Sequence, residues 1–170
     1  MIKNNNIFWK NIIQNSLLTG LALIIFSILT YFLGINPKSK IHYLTYIILI
    51  AGIVYSTNSY KKTENIFLTY SKAFKIGFLI SLFASFILAI YIFIFNKFID
   101  PDAINKMIKL SEQELIKNKN LTQEQINASM QMIKKFSNIT ILTILSFVSM
   151  LLNGTLLSLI TSIFIKSRKK

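Results

Sequence analysis

The chain has no cysteine, one histidine, one arginine and two prolines among its 170 residues. Without cysteine there can be no disulfide, no thiolate nucleophile and no thiolate metal site. His42 stands alone, so no second histidine or cysteine completes a metal site around it. It falls beside an apolar run and reads as an interfacial polar residue. Acidic residues are also scarce, six against nineteen basic ones, for a net charge of +13. Asp100 and Asp102 flank Pro101 and read as helix-capping groups, and Glu112, Glu114 and Glu124 as solvated faces. No nucleophile is spaced with a base, and no glycine-rich loop could cradle a phosphate. The sequence therefore predicts neither an enzyme nor a bound cofactor or metal.

Charge itself is sparse. Charged residues make up 15% of the chain, where a soluble domain carries about 25%. What is abundant is apolar: 53% of residues are hydrophobic, and the mean hydropathy is +0.55. The charges gather in polar stretches between four long apolar runs whose interiors hold no Asp, Glu, Lys, Arg or His. A soluble fold needs charge along nearly every helix, so lipid is the solvent this pattern suits. The absence of buried charge also argues against ion-coupled transport. The basic residues are spread over five polar stretches and are almost all lysine, which fits lipid headgroups rather than nucleic acid.

The sequence predicts an all-α integral membrane four-helix bundle, one membrane domain over residues 1–170. Its spans are expected at about 12–33, 43–59, 74–98 and 139–165. Lys3 and Lys10 precede the first run as in a signal peptide, but that run far exceeds an h-region of roughly 7–15 residues and reads as a retained helix. Phe8, Trp9, Tyr31 and Phe32 bracket it as interfacial aromatics, and Gly34, Asn36 and Pro37 break it. Tyr70 and Tyr91 read as further interfacial anchors.

Between the third and fourth spans lies a polar insert, 99–138, that reads as an extramembrane helical hairpin. Asp100 is the expected N-cap of its first helix, with Pro101 in the first turn. Thr122 and Gln125 match a capping box for the second helix, and Lys119 with Asn120 form the turn. Ile104, Met107, Ile108 and Leu115 make an apolar stripe on one helix, and Ile126, Met130 and Ile133 on the other. Ile108, Ile126, Met130 and Ile133 are the expected partner surface.

Each span also carries small residues at helical spacing, expected to face the neighbouring helices. They are Ser16, Gly20, Ser27 and Thr30 in the first, and Thr45, Gly52, Ser56 and Ser59 in the second. The third has Gly77, Ser81, Ser85 and Ala89, and the fourth Thr143, Ser146, Ser149, Asn153 and Gly154. Asn153, near the middle of the last span, is expected to make an interhelical hydrogen bond or to line a polar pathway.

At Tyr70-Ser71-Lys72-Ala73-Phe74-Lys75-Ile76-Gly77 and at Lys97-Phe98-Ile99-Asp100-Pro101-Asp102 the chain resembles a bacterial family known only as a domain of unknown function. Its members are small four-span membrane proteins with a polar helical insert between the last two spans. The resemblance runs from the first span to the basic tail. It implies a bacterial inner membrane and brings no activity, substrate or active-site residue.

The expected role is a structural or interaction component of that membrane, touching lipids and a protein partner through the insert, with a homo-oligomer as a further partner. The alternative is a small channel or passive permease formed by oligomers. Orientation rests on lysine and arginine placement: ten lie with the termini and the second loop, nine on the other side, but the ten sit closer to span ends. Both termini are thus expected in the cytoplasm. A Lys119→Cys variant, the only thiol in the chain, should react with an impermeant maleimide in intact cells. Reaction only after permeabilisation reverses the topology.

Overall fold

The computed structural model describes residues 2–35, 39–64, 67–118 and 120–165. Six α-helices follow in order: α1 (Ile2–Phe32), α2 (Leu44–Glu64), α3 (Tyr70–Ile94), α4 (Ala103–Lys117), α5 (Gln123–Phe136) and α6 (Ile139–Ile165). A 3-10 turn at Lys40–Tyr43 leads into α2, and a π turn at Phe95–Ile99 ends α3. The described residues hold no strand. Four helical stretches are long and apolar enough to cross a membrane: Asn6–Phe32, Lys40–Glu64, Tyr70–Ile99 and Ile139–Ile165. The fold is an all-α, membrane-type bundle, as expected. Asn36, Pro37, Lys38, Lys119 and the basic tail from Lys166 lie outside the described residues, as does the side chain of Lys3.

Helix boundaries follow local chemistry. Gly34 sits at φ +61°, the left-handed region. The amide of Gly34 bonds the Tyr31 carbonyl, and that of Ile35 the Thr30 carbonyl, both at 3.0 Å. This closes the last carbonyls of α1 in a Schellman motif, which only glycine enters without steric cost. The capping box at α5 forms as expected. Gln125 N–H donates to Thr122 Oγ1 at 3.3 Å, and Thr122 N–H donates to Gln125 Oε1 at 2.9 Å.

The start of α4 differs from expectation. Asp100 does not cap it. The helix begins at Ala103, and Asp102 occupies the N-cap position without a side-chain bond. Asp100 is instead drawn into an ion pair: Lys106 Nζ donates to its two carboxylate oxygens at 2.9 and 3.2 Å. The backbone of Asp100, at φ −134° and ψ 81°, shows the avoidance of helix imposed by the following proline.

The chain divides into two compact units. The first holds the residues up to Leu88 and those from Phe147 onward, so α1, α2, most of α3 and the later part of α6. Its core is Ile12, Leu23, Leu49, Ile53, Tyr60, Ile76, Ile80 and Ala84. Helices meet where side chains are smallest. A Cβ on Gly154 would lie 2.5 Å from Ser81 Cβ and 3.2 Å from Leu49 Cδ2, so α6, α3 and α2 converge there. Gly77 meets Ser158 and Ile53, Gly52 meets Thr19, and Gly20 meets Ile87. The second unit, Ala89–Ser146, holds the end of α3, the π turn, the hairpin α4–α5 and the start of α6. Its hairpin closes on Ile126 and Met130, the two buried residues of α5.

Overpacking the helix crossing should therefore cost more than backbone strain alone. Gly154→Ala should lower stability in detergent by about 1–3 kcal/mol, since the Ser81 Cβ cannot swing away. Gly34→Ala, which would meet nothing within 4 Å, should cost about 1 kcal/mol through its φ alone. Thermal unfolding of both variants checks the order.

Candidate functional site

Polar groups buried in the first unit are the natural place to look for chemistry. Most of them are satisfied within their own helix. Ser81 Oγ donates to the Gly77 carbonyl at 2.9 Å, and Ser85 Oγ to that of Ser81 at 2.6 Å. Thr57 and Ser162 do likewise toward Ile53 and Ser158. Such back-bonds saturate the hydroxyl without offering a donor to a ligand.

Two cross-helix bonds break that rule. Ser158 Oγ on α6 donates to the Phe74 carbonyl on α3 at 3.0 Å. Ser56 Oγ on α2 donates to Asn11 Oδ1 on α1 at 2.8 Å. Asn11 begins a ladder: Asn15 Nδ2 donates to the Asn11 carbonyl, and Thr19 Oγ1 to the Asn15 carbonyl. Neither the ladder nor Ser158 and Ser162 was anticipated from sequence. The signal was the four-residue spacing of Asn11, Asn15 and Thr19 within and beside an apolar run. Ser16 lies within this region with its hydroxyl buried and unbonded.

The end of this unit carries an aromatic pair. Phe8 and Tyr60 meet edge to face with centroids 5.5 Å apart. The Lys75 ammonium lies 5.7 Å from the Phe8 centroid and that of Lys72 lies 5.3 Å from Tyr60. These cation–π contacts hold two lysines where a headgroup layer would begin. An apolar cleft of 350 Å³ opens between α1 and α2, lined by Leu18, Ala22, Ile48, Gly52 and Tyr55 among others, with no charged group.

The expected site residues separate into distinct settings. Gly20, Gly77, Ser81 and Gly154 are buried at helix crossings. Ser146 belongs to the second unit and is half-buried. Asn153 does not make the expected interhelical bond. Its Nδ2 donates to the Ser149 carbonyl in its own helix at 2.8 Å. The inward face of α6 is Met150, Gly154, Ser158 and Ser162, which leaves Ser149 exposed and Asn153 half-exposed. A stripe drawn through Thr143, Ser146, Ser149 and Asn153 is thus rotated away from the core.

In the second unit Ile126 and Met130 are 8% and 6% exposed, and Ile108 and Ile133 are half-buried. As a free partner surface the stripe fails at Ile126 and Met130, because two amphipathic helices in a hairpin bury each other's apolar face first. Open grooves run along the described part of the hairpin. One of 680 Å³ is lined by Asp102, Asn105, Lys106, Ile108, Lys109, Glu112 and Lys134. Another, of 290 Å³, is lined by residues including Ile116, Gln123, Ile126 and Met130. Among the described residues no group of three His, Cys, Asp or Glu could hold a metal. His42 is half-buried in the 3-10 turn, its Nε2 without a partner.

Four apolar helices around a core of close-approach glycines and self-satisfied hydroxyls define a helical membrane protein. The chain belongs to the family described as "Protein of unknown function (DUF4199)", whose model matches residues 14–167. No curated protein and no solved structure matches the chain.

The ladder and the orphan hydroxyl should respond oppositely to truncation. Asn11→Leu should destabilise the protein by about 1 kcal/mol, since Ser56 loses its cross-helix acceptor. Ser16→Ala should be neutral or stabilising, because it removes a desolvated group that makes no bond. Thermal unfolding in detergent distinguishes them.

Proposed function

We propose that the protein is a non-catalytic structural or interaction component of a bacterial inner membrane. It would cross that membrane four times with both termini in the cytoplasm, and its hairpin α4–α5 would receive a protein partner. The observation that carries this is the 680 Å³ groove on the hairpin, where Lys109 and Lys134 stand beside Ile108, with Asp102 and Glu112 on the same lining and Lys106 paired to Asp100. A concave surface of mixed charge with a small basic excess around one apolar side chain suits a polar segment that brings carboxylates to Lys109 and Lys134. Elsewhere on the hairpin Ile116 and Met132 stay 61% and 66% exposed even though the hairpin has closed on itself. The absence of any nucleophile–base pair in the sequence supports the non-catalytic part.

The alternative, a passive pore through an oligomer, has less support. Of the serines in the stripes expected to line it, Ser16, Ser56, Ser81 and Ser85 are buried within the chain.

Photo-crosslinking in cells from position 108, with the exposed position 128, which lines neither groove, as control, tests the groove. One recurrent protein partner, lost when Lys109→Glu reverses that lysine's charge, is the expected result. Crosslinks that go only to lipid, or that ignore the charge reversal, overturn the reading.

A further inference from the structure

Of the four apolar helices, α6 is the least enclosed. Its most apolar stretch is 11% buried, against 33, 22 and 28% for the other three. Opposite its buried face runs an exposed line of Ser149, Leu152, Leu156, Leu159 and Ile163. The steps are three, four, three and four residues, the rhythm of a helix–helix seam. At the edge of that line stands Asn153, one residue from the midpoint of α6 (Ile139–Ile165).

The polar atoms here are not all used. Asn153 Nδ2 makes one bond, to the Ser149 carbonyl. Its Oδ1, its second N–H and the Ser149 hydroxyl have no partner among the described residues. If α6 crosses the bilayer, these groups lie near its centre, where no water can meet them. They need a donor and an acceptor at that same depth. A carboxamide is both, so it can satisfy a second carboxamide reciprocally. A second copy inserted in the same orientation brings its own Asn153 and Ser149 to that depth by construction. A lipid tail brings neither a donor nor an acceptor.

We infer that α6 is a self-association seam, on which a second copy of this chain packs in parallel and pairs the Ser149–Asn153 polar groups across a two-fold axis. This rests on α6 spanning the membrane and is independent of the hairpin's role.

The test uses the whole 170-residue chain, which has no cysteine. Single cysteines are placed along α6 in native membranes and oxidised. Disulfide dimers should peak at Leu152→Cys, Leu156→Cys and Leu159→Cys, and be low at Met150→Cys and Leu157→Cys. Adding Asn153→Leu should weaken dimerisation by about tenfold in a dilution series in liposomes, and Asn153→Gln should retain most of it. Circular dichroism and thermal unfolding of the Asn153→Leu monomer should match the parent, which separates lost pairing from lost folding. A flat crosslinking profile, or dimers indifferent to Asn153→Leu, overturns the inference. Failure of the hairpin crosslinks would leave it untouched.

Discussion

In hydrocarbon the hydrophobic effect does not press one apolar helix onto another, so assembly depends on how closely two backbones approach. The contact between α3 and α6 is the clearest case. Gly77 receives Ser158, and Gly154 receives Ser81, each helix offering the other a glycine and a serine. The two exchanges lie about one helical turn apart on α3 and on α6, so they fix the register as well as the distance. The Ser158 hydroxyl then reaches the Phe74 carbonyl, a bond available only at that separation. Leu49 and Ile53 of α2 come to the same two glycines, so the third helix is seated by the first pair's geometry.

The hairpin follows different physics. Its helices are short and amphipathic, so one face of each seeks apolar cover while the other remains solvated. Ile126 and Met130 find that cover inside the hairpin. The Asp100–Lys106 pair ties the turn before α4 to its first helical turn. Asp100 is buried while Lys106 is largely exposed, so solvent reaches the pair from the lysine side. Its geometric role is to hold the chain where Pro101 has forced it out of helix.

Much of the architecture was legible because the bilayer imposes simple demands. Hydropathy and length place the apolar helices, and α6 begins at Ile139. The inward face of α3 was equally clear, since Gly77, Ser81 and Ser85 repeat every fourth residue. On α6 small and polar residues occur on several faces, and composition alone could not choose among them. Volume decided: Gly154 fits against Ser81, while Asn153 does not. Asn11 was missed because it precedes the span expected from residue 12 and read as flanking polarity. Asp100 was misplaced because a nearby cation offers a carboxylate more than a free amide does.

The back-bonded hydroxyls bear on the order in which such a protein is built. Ser81, Ser85, Thr57 and Ser162 obtain their partners from carbonyls of their own helices. None of them needs a neighbour to be in place before it leaves water. These four hydroxyls can therefore leave an insertion channel for lipid already bonded. Among the described hydroxyls, Ser56 and Ser158 bond across to a second helix of the chain, and theirs are the bonds that register completion of the bundle.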